Sequence, residues 1–364
     1  MGLYVGLMSG TSMDAIDAAL VDLAGDRCRV LAGRASAWPA GLKARVTHLI
    51  EHPEQAALDE IAALDVELGR AFAGAALELL RETGTAPREV RAVGSHGQTV
   101  RHRPDAATPF SLQLGDPNTV AELTGLTVVG DFRRRDVAAG GQGAPLVPAF
   151  HEQVFSSPDE DRAIVNIGGI ANVTALRRQS AVVGFDTGPG NRLLDAWISR
   201  HRRLDFDRDG DWAQTGRCDT GLLQALLAEP YLALPAPKST GRELFNPQWL
   251  DARLGTTSRR PQDVQATLLD YTAETIAAGV QQYAPGATVY LCGGGAHNRR
   301  LLDAIARRVA PQRVMSTAAL GLDPDFVEAV AFAWFAHRTL TERTSTLPSV
   351  TGASGPRILG GIYR

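Results

Sequence analysis

The residues best suited to chemistry in this chain stand in three glycine-rich turns. The first turn, from Met8 to Asp14, combines one glycine with three hydroxyl side chains and ends in a carboxylate. Backbone N–H groups in such a turn can face a phosphate, and the hydroxyls add further donors. The carboxylate can hold a metal-bound water or orient a nucleophile. A plain tight hairpin is the alternative, because glycine and hydroxyl residues are common in hairpins too.

The second turn runs from Gly184 to Asn191 and has the sequence Gly-Phe-Asp-Thr-Gly-Pro-Gly-Asn. It follows an apolar strand and opens a helix, whose free N–H groups and dipole favour anions. Asp186 stands at the strand end, where open α/β sheets carry their chemistry. An N-cap carboxylate is the structural alternative, but the Gly188-Pro189-Gly190 insert favours a ligand because it lets backbone approach one.

The third turn places Gly293, Gly294 and Gly295 between a strand and a helix. One glycine with positive φ suffices for such a turn, so three predict a flat group, such as a nucleoside, lying against bare backbone. Each turn alone could be either a structural turn or a ligand site, but three such turns in this order are far more specific for ligand binding. A Walker loop is excluded because no Gly-Lys-Ser/Thr is present, and the first turn lacks the glycine pattern of a dinucleotide site.

Apolar patterning predicts the elements that hold these turns. Strands are expected from Leu3 to Leu7 and from Ala15 to Leu23, around the first turn. The same strand–turn–strand pattern restarts at Ala163–Ile167 and Ile170–Leu176, around Gly168-Gly169. The halves therefore look alike in pattern, although their identity is too weak to prove duplication. Other strands are expected at 28–37, 90–94, 111–114, 126–130, 182–185 and 287–291, and helices at 56–83, from 117, and at 190–199, 261–283, 299–309 and 325–340.

Length and composition narrow the class of protein. A chain of 364 residues predicts two domains, and Gly140–Gly143 suggests a hinge or crossover. The net charge of −3 shows no basic surplus, which argues against nucleic acid as the main partner. Three widely spaced cysteines indicate neither a metal site nor a disulfide framework and suit a reducing cytoplasm. No apolar run approaches the length of a membrane span, and neither a signal peptide nor myristoylation is predicted.

At this point the chain resembles a known family. The ordered turns are similar to those of the actin, hexokinase and heat-shock ATPase superfold, in which two similar domains close over ATP. Six segments resemble anhydro-N-acetylmuramic acid kinases more closely: GLMSGTSMD, GSHGQTVRH, GDFRRRDVAAGGQGAPLVP, NIGGIANVT, GFDTGPGN and CGGGAHN. The resemblance runs from Gly6 to about Arg364. It implies an α/β fold of two actin/hexokinase-like (ribonuclease H-like) domains with a central ATP cleft, comprising residues 1–135 plus about 341–364, and residues 136–340.

The resemblance also implies a reaction. ATP, water and Mg²⁺ would convert 1,6-anhydro-N-acetylmuramic acid, a product of peptidoglycan turnover, into N-acetylmuramic acid 6-phosphate. Glycoside hydrolysis normally needs two carboxyl groups. Here the leaving oxygen stays on the sugar and attacks the γ-phosphorus. Formation of the bond to phosphorus can therefore stabilise this oxygen largely in place of protonation by a general acid.

By motif match, Asp186 would be the base that activates the water, and Glu328 a second carboxylate at the site. Arg133 would contact the sugar, where a guanidinium suits the lactyl carboxylate, and His96 and Gln98 match the sugar-side loop. The residues expected to cradle ATP are Gly10, Thr11, Ser12, Met13, Asp14, Ala15, Ile16, Asp17, Gly188, Gly190, Asn191, Gly293, Gly294 and Gly295. Ala15 departs from the family's usual glycine, which matters only where that position requires positive φ.

Three alternatives stay open. A related sugar kinase would use Asp186 to deprotonate an ordinary hydroxyl. A non-catalytic sugar-sensing regulator would need a DNA-binding helix pair, and a chaperone-like ATPase would need a peptide-binding domain, for which the chain has no spare length. The expected partners are a small sugar and ATP, without nucleic acid or membrane. The sequence leaves open a homodimer, the metal ligands, the extent of domain closure and the tolerance for peptide-bearing substrates.

Overall fold

The computed structural model describes residues 2–24 and 27–364. The chain forms two compact units, of which the first comprises residues 2–154 together with Phe326–Arg364 and the second comprises Phe155–Asp325. The strands are β1 (Leu3–Met8), β2 (Ile16–Ala24), β3 (Arg27–Ser36), β4 (Val90–Ser95), β5 (Gln98–Arg103), β6 (Phe110–Leu114), β7 (Val128–Gly130), β8 (Arg162–Ile167), β9 (Ile170–Leu176), β10 (Val183–Pro189), β11 (Thr288–Cys292), β12 (Val314–Ser316) and β13 (Gly361–Tyr363). The α-helices are α1 (Leu42–Glu51), α2 (Leu58–Thr83), α3 (Pro117–Thr124), α4 (Phe132–Ala138), α5 (Pro148–Phe155), α6 (Arg192–Arg202), α7 (Asp211–Gln214), α8 (Thr220–Leu227), α9 (Pro247–Leu254), α10 (Pro261–Tyr283), α11 (Arg299–Val309), α12 (Val327–Leu340) and α13 (Pro348–Thr351).

The first unit is built on a six-stranded mixed sheet in the order β13-β7-β4-β1-β2-β3. β1, β2 and β3 form an antiparallel meander, and β4 and β7 then extend the sheet in parallel to β1. β5 and β6 pair separately as an antiparallel hairpin. The helix α2 packs its apolar stripe against the sheet, and it buries Leu64, Leu68, Phe72, Leu79 and Leu80 as the helical spacing predicts.

The second unit repeats the same arrangement with the order β10-β9-β8-β11-β12. β8, β9 and β10 form the antiparallel meander, while β11 and β12 run parallel to β8. Each unit therefore shares a five-strand pattern in which three meander strands precede two parallel ones. The repetition expected from the sequence is confirmed at the level of topology. The core of this unit includes α10, whose buried residues include Leu268, Tyr271 and Ile276.

Close packing of α12 on the first sheet explains why two core positions are glycine. A Cβ added to Gly6 would lie 1.7 Å from the carbonyl oxygen of Ala329, and one added to Gly94 would lie 2.0 Å from that of Phe332. The helix backbone thus rests directly on β1 and β4. For this reason α12 belongs to the first unit, whereas the sequence assigned residues 136–340 to the second domain.

The segment Gly140–Gly143 lies inside the first unit, so the hinge prediction is wrong. The carboxylate of Asp136 is buried and accepts a hydrogen bond from Gly143 N at 2.7 Å and another from the Thr351 hydroxyl at 2.8 Å. Gln142 N donates to the Thr351 carbonyl at 2.8 Å. Burial raises the pKa of the Asp136 carboxyl. The chain passes from the first unit to the second after residue 154 instead.

The sequence-based prediction assigned none of the following elements: the helices α1, α4, α5, α7, α8, α9 and α13, and the strands β5, β12 and β13. Of these, β5 includes the segment that was expected to be a loop at Gln98-Thr99. Within the described residues, none of the helices combines the length and apolarity that crossing a membrane requires.

Candidate active site

The first glycine-rich turn joins β1 to β2 and is closed by local hydrogen bonds. Met13 N donates to the Gly10 carbonyl at 3.2 Å, and the Ser9 hydroxyl donates to the Ala15 carbonyl at 3.2 Å. Met13 adopts a φ of 54°, the left-handed region, with its side chain buried. Ala15 is not among the left-handed positions, so the family's usual glycine is not required there by backbone conformation.

Gly10 lies at the open side of this turn. The nearest atom to a Cβ added there would be the Ser12 hydroxyl oxygen, at 3.9 Å, and its φ is not positive. Neither packing nor backbone conformation therefore requires glycine at this position, and a ligand could approach the bare backbone. Thr11 is partly exposed and Asp14 exposed, while Ile16 and Asp17 already belong to β2.

The structure brings together the three predicted sugar-side residues and the first turn. Arg133 Nε donates to His96 Nε2 at 3.0 Å, and Arg133 Nη1 donates to the Gly143 carbonyl at 2.7 Å. Gln98 is fully buried, and its Nε2 approaches the Gly10 carbonyl at 3.5 Å. Its Oε1 has no hydrogen-bond partner among the described residues. Gln98 thus contacts the first turn, while His96 and Arg133 contact each other.

The neutral form of the His96 imidazole is the one that accepts a hydrogen bond from Arg133. Its Nδ1 lies 2.8 Å from the Gly97 carbonyl, which can only accept, so Nδ1 carries the proton and Nε2 accepts from Arg133. The ring is buried and lies 4.6 Å from the ring of Phe332. Burial, and then the charge of Arg133, lower the pKa of His96 well below its usual value. The imidazole is thus a fixed acceptor for the guanidinium.

Glu328 stands in the first turn of α12 and is partly buried. A carboxylate is favoured at this end of a helix by the dipole. The next residue, Ala329, is the one whose carbonyl rests against Gly6 of β1. The backbone beside Glu328 is therefore packed on the first sheet, while its own side chain is partly buried.

In the second unit, the segment Gly188–Asn191 packs on the turn between β8 and β9. Gly190 N donates to the Gly169 carbonyl at 2.9 Å, and Asn191 N donates to the Gly168 carbonyl at 2.8 Å. A Cβ on Gly190 would lie 2.2 Å from the same Gly168 oxygen. Gly190 is thus required by the close approach of these two segments. The sequence prediction attributed this glycine to a bound ligand alone.

The turn Gly168-Gly169 occupies the place in the second sheet that the first turn occupies in the first. Both join the first two strands of a meander whose opening strand lies beside a parallel neighbour. A Cβ on Gly168 would meet only ordinary contacts, the nearest at 3.5 Å from Ile170 O. By topology, this turn corresponds to the first glycine-rich turn. Its sequence signal was only a pair of glycines in a hairpin.

Asp186 lies within β10, which continues to Pro189, so the predicted acidic turn is in fact the end of a strand. The register shifts between Asp186 and Gly188, where a bulge interrupts pairing with β9. Gly188 has a φ of 149°, which L-residues rarely adopt. Asp186 is 7% exposed. Bulges re-aim side chains and are frequent next to active sites.

Three residues that sequence reasoning missed hold Asp186. The Tyr231 hydroxyl donates to the Asp186 carbonyl at 2.7 Å, and Thr240 N donates to Asp186 Oδ2 at 2.9 Å. Asp186 N donates to the Lys238 carbonyl at 3.2 Å. Burial raises the pKa of the Tyr231 phenol, and the charge of Asp186 adds to the effect. The only sequence signal was a lysine within the mainly apolar run from Tyr231 to Lys238.

The third turn follows β11 and contains two glycines that the fold itself requires. Gly293 has a φ of 77°, and a Cβ on it would lie 2.3 Å from Asn166 Oδ1. A Cβ on Gly295 would lie 2.3 Å from Ile167 Cγ2. Only Gly294 faces open space, with Asn191 Nδ2 the nearest atom at 3.9 Å. Packing therefore explains Gly293 and Gly295, and the expectation that a ligand accounts for a glycine stays a prediction for Gly294.

Asn166 marks the meeting point of these loops. It lies at the end of β8, is 6% exposed, and its Oδ1 has no hydrogen-bond partner among the described residues. Asn191 Nδ2 approaches the Ile167 carbonyl at 3.3 Å. The second and third glycine segments thus converge on one end of the second sheet. A buried acceptor without a partner there is costly unless a ligand or water satisfies it.

No group of three or more histidine, cysteine, aspartate or glutamate side chains suited to holding a metal occurs within residues 2–24 and 27–364. The three cysteines are free thiols, and Cys292 is buried at the end of β11.

Comparison with known proteins identifies the family. The family profile described as anhydro-N-acetylmuramic acid kinase matches residues 2–364. The chain belongs to this family. An anhydro-N-acetylmuramic acid kinase of Xanthomonas campestris pv. campestris strain 8004 is 52% identical over 365 residues, covering 99% of this chain and 97% of the relative. The protein of the same name from Saccharophagus degradans is 50% identical over 366 residues, covering 99% and 98%.

A solved structure supports the fold. Component A of (R)-2-hydroxyglutaryl-CoA dehydratase from Acidaminococcus fermentans superposes with a TM-score of 0.50 at 11% identity, covering 94% of this chain and 100% of that one. At such low identity the similarity concerns the fold alone. The predicted membership in the anhydro-N-acetylmuramic acid kinase family, the kinase class of enzyme, and the α/β actin/hexokinase-like fold are all confirmed.

Proposed function

We propose that this chain is an ATP-dependent kinase that opens 1,6-anhydro-N-acetylmuramic acid with water and phosphorylates the freed 6-oxygen. Water attacks the anomeric carbon and loses a proton to the base, while the bond from that carbon to O6 breaks. O6 then forms a bond to the γ-phosphorus, and ADP leaves. The products are N-acetylmuramic acid 6-phosphate and ADP. The proposal rests on the named relatives at about 50% identity and on the group that could act as the base.

The observation that carries the mechanism is the setting of Asp186. Its carboxylate lies at a strand bulge, 93% removed from solvent, with Oδ2 oriented by Thr240 N. A general base must be held within hydrogen-bond reach of the proton that it removes. A carboxylate on a rigid strand, with one oxygen fixed by a backbone N–H, is held in a constant direction.

Arg133 is proposed to bind the lactyl carboxylate of the sugar. Its guanidinium is oriented by His96 and by the Gly143 carbonyl, and an arginine in a fixed geometry suits a carboxylate. Gln98 is proposed to contact the sugar, with His96 acting through Arg133. Glu328, at the dipole-favoured end of α12, is proposed as a second carboxylate that polarises the reacting groups.

ATP is proposed to lie against the glycine-rich segments. In the first unit these are Gly10, Thr11, Ser12, Met13, Asp14, Ala15, Ile16 and Asp17, and in the second unit Gly168, Gly169, Gly188, Gly190, Asn191 and Gly293–Gly295. Gly10, Gly168 and Gly294 support this assignment, because the fold gives no steric or conformational reason for glycine there. Asn166 Oδ1 is an acceptor that a nucleotide donor could satisfy.

Mg²⁺ fits this donor set as an ion held mainly by ATP. Magnesium usually keeps several waters and binds through one or two carboxylates plus substrate phosphates. The described residues contain no cluster of three ligating side chains, and the exposed carboxylate of Asp14 suits a contact through water. The ion would neutralise the charge that develops on the transferred phosphoryl group.

In the cell, the enzyme is proposed to act in the cytoplasm on anhydro sugar recovered from peptidoglycan. Its three free thiols suit a reducing compartment, and its cosubstrate ATP is made there.

Turnover of the anhydro sugar in ¹⁸O-labelled water tests the proposal. Mass spectrometry should find one labelled oxygen on the anomeric hydroxyl and a phosphoryl group on O6. Asp186→Asn should bind ATP and sugar normally but lose turnover by about 10²- to 10⁴-fold, the usual contribution of a general base, because the amide has the same shape but cannot accept the proton. Asp303→Asn, at an exposed position of α11, is the control.

An unlabelled product, or phosphorylation of simple hexosamines in preference to the anhydro sugar, would replace this mechanism by an ordinary hydroxyl-directed kinase. Near-normal turnover by the Asp186→Asn enzyme would assign the base elsewhere.

A further inference from the structure

The segment that surrounds Asp186 is fastened by a buried lysine. Lys238 is 7% exposed. Its Nζ donates to the Tyr231 carbonyl at 3.1 Å and to the Leu232 carbonyl at 3.0 Å. These carbonyls belong to the short 3-10 helix Pro230–Ala233. The Tyr231 carbonyl also accepts from Leu234 N at 3.2 Å, and a cation is favoured beside the last carbonyls of a helix. The side chain thus ties residue 238 back to residues 231 and 232 and closes a loop.

Two aromatic rings complete the enclosure of the ammonium group. Lys238 Nζ lies 4.7 Å from the ring centroid of Tyr231 and 5.6 Å from that of Phe185. A desolvated cation over an aromatic face gains attraction from the ring. Phe185 precedes Asp186 in β10, and Tyr231 donates to the Asp186 carbonyl. The ammonium therefore contacts residues on both sides of the loop that holds the carboxylate.

The closed loop makes every contact to Asp186 described above. The Tyr231 hydroxyl holds its carbonyl, the Lys238 carbonyl accepts from its N–H, and Thr240 N fixes its carboxylate. Opening the loop at Lys238 would release all three contacts together. Burial lowers the pKa of Lys238, and the negative charge of Asp186 opposes that fall, so the two charged groups also interact through space.

The composition of the chain makes this lysine unusual. Of the 37 lysine and arginine residues in the chain, only Lys43 and Lys238 are lysines. Lys43 is exposed at the start of α1. An ammonium is compact and offers three donors to acceptors in different directions, whereas a guanidinium is planar and larger. The enclosed position between two carbonyls and two rings suits the smaller cation, in a chain that uses arginine almost everywhere else.

We propose that Lys238 is a positioning residue for the reaction: by closing the 231–240 loop, its ammonium group holds the Asp186 carboxylate in the one orientation that accepts a proton from the attacking water. This inference rests on the proposed function, because it requires Asp186 to be the base. Lys238 does not touch the sugar or ATP in this assignment. Its loss should therefore affect the chemical step and leave substrate binding intact.

The first test compares Lys238→Met with Lys43→Met in steady-state kinetics. Lys238→Met should lower kcat by about 10- to 100-fold, the scale expected when a catalytic group is misplaced by about 1 Å. The KM values for sugar and ATP should change less than twofold. Lys43→Met should match the wild type in all three constants. An unchanged kcat in Lys238→Met, or a rise in KM alone, would overturn the proposal.

The second test does not depend on how well Lys238→Met folds. Protein labelled with ¹³C at the lysine ε-carbon should give two lysine signals, and Lys43→Met assigns them by removing one. Lys238 should titrate at lower pH than Lys43. In Asp186→Asn, the Lys238 signal should move and its pKa should fall further, because the opposing charge is gone, while Lys43 stays unchanged. A Lys238 signal indifferent to Asp186→Asn would refute the link between the two groups.

Failure of this inference and failure of the proposed function give different results. A wild-type enzyme that does not turn over the anhydro sugar contradicts the proposed function before any variant is made. A wild-type enzyme that does turn it over, combined with a fully active Lys238→Met, contradicts only the role of Lys238.

Discussion

Replacing His96 by phenylalanine tests whether this residue acts through Arg133. Phenylalanine keeps an aromatic ring in the space beside Phe332, where the His96 ring centroid lies 4.6 Å away. It removes the Nε2 acceptor that receives Arg133 Nε at 3.0 Å. The guanidinium then keeps its contact with the Gly143 carbonyl at 2.7 Å but loses the one that fixes its direction.

The size of the effect follows from the charge on the donor. A hydrogen bond to a charged group contributes about 1.5–3 kcal/mol. Loss of that orientation should weaken sugar binding by about 10- to 150-fold at most, since about 1.4 kcal/mol is tenfold in affinity. Titration calorimetry with the anhydro sugar measures the change directly. ATP affinity should be unaffected, and His48→Phe on the exposed side of α1 is the matched control.

The same contact predicts a pH profile. Burial and Arg133 hold the pKa of His96 well below 6.5, so the ring stays neutral and Nε2 remains an acceptor from pH 8 down to about 5.5. The lactyl carboxylate, with an ordinary pKa of about 3.5, also stays ionised. Sugar affinity in the wild type should therefore be flat over this range. A drop in affinity centred near pH 6.5 that disappears in His96→Phe would show that His96 titrates normally, and the neutral-acceptor argument would fail.

Two further predictions separate glycines that the fold requires from those left to a ligand. Gly6→Ala places a methyl 1.7 Å from a backbone oxygen of α12 and should destabilise the protein by about 1–3 kcal/mol or more, while Gly74→Ala, with nothing within 4 Å, should stabilise it by about 0.5–1 kcal/mol; a thermal melt that ranks them the other way contradicts the packing. Gly294→Ala should leave the melting temperature unchanged and weaken ATP binding, whereas Gly295→Ala should lower the melting temperature because its Cβ would meet Ile167 at 2.3 Å. Equal ATP affinity in Gly294→Ala and wild type would remove Gly294 from the nucleotide site.

The repeated framework could be predicted from the sequence because its signals are local. The strands that flank the first turn and Gly168-Gly169 are short apolar runs bounded by glycine, and α2, α10 and α11 carry apolar residues at helical spacing. The helix α3 begins where predicted, with Asp116 accepting hydrogen bonds from Asn118 N and Thr119 N. The helices α1, α4, α5, α7, α8, α9 and α13 were not predicted; none is longer than ten residues, so each spans too few turns to show a clear apolar periodicity.

The division of the chain into units depended on contacts that no local pattern reveals. Residues 326–340 read as a helix that could pack on either sheet. The decisive feature is the absence of side chains at Gly6 and Gly94, which lets the backbone of α12 rest on β1 and β4. Similarly, Gly140–Gly143 looked flexible by composition, but the buried carboxylate of Asp136 fixes it. Single glycines and single buried acids carry tertiary information that is visible only once their neighbours are known.

For the candidate site, too, the sequence did not show which distant residues each motif contacts. The motifs identified Asp186, but the loop that orients it lies about fifty residues downstream and has no motif of its own. The glycine triplet was noticed as a unit, although Gly293 and Gly295 are required by the packing of β8 and only Gly294 is open to a ligand. A glycine indicates a ligand only when the fold gives it no other reason to be there.

The common topology of the two units clarifies how chemistry differs between them. Each unit opens with a meander, and each meander begins with a strand–glycine turn–strand hairpin suited to phosphate. The two units differ in the third strand of the meander, which is β3 in the first unit and β10 in the second. β10 carries the bulge at Asp186, whereas the register of β3 against β2 shifts between Leu20 and Val21, away from the first turn. If the hairpins that both units share bind the phosphates of ATP, the base is expected in the feature that only one unit has, which is the β10 bulge at Asp186. On that premise, nucleotide binding belongs to the part of the framework that the two units share, and water activation belongs to the strand in which they differ.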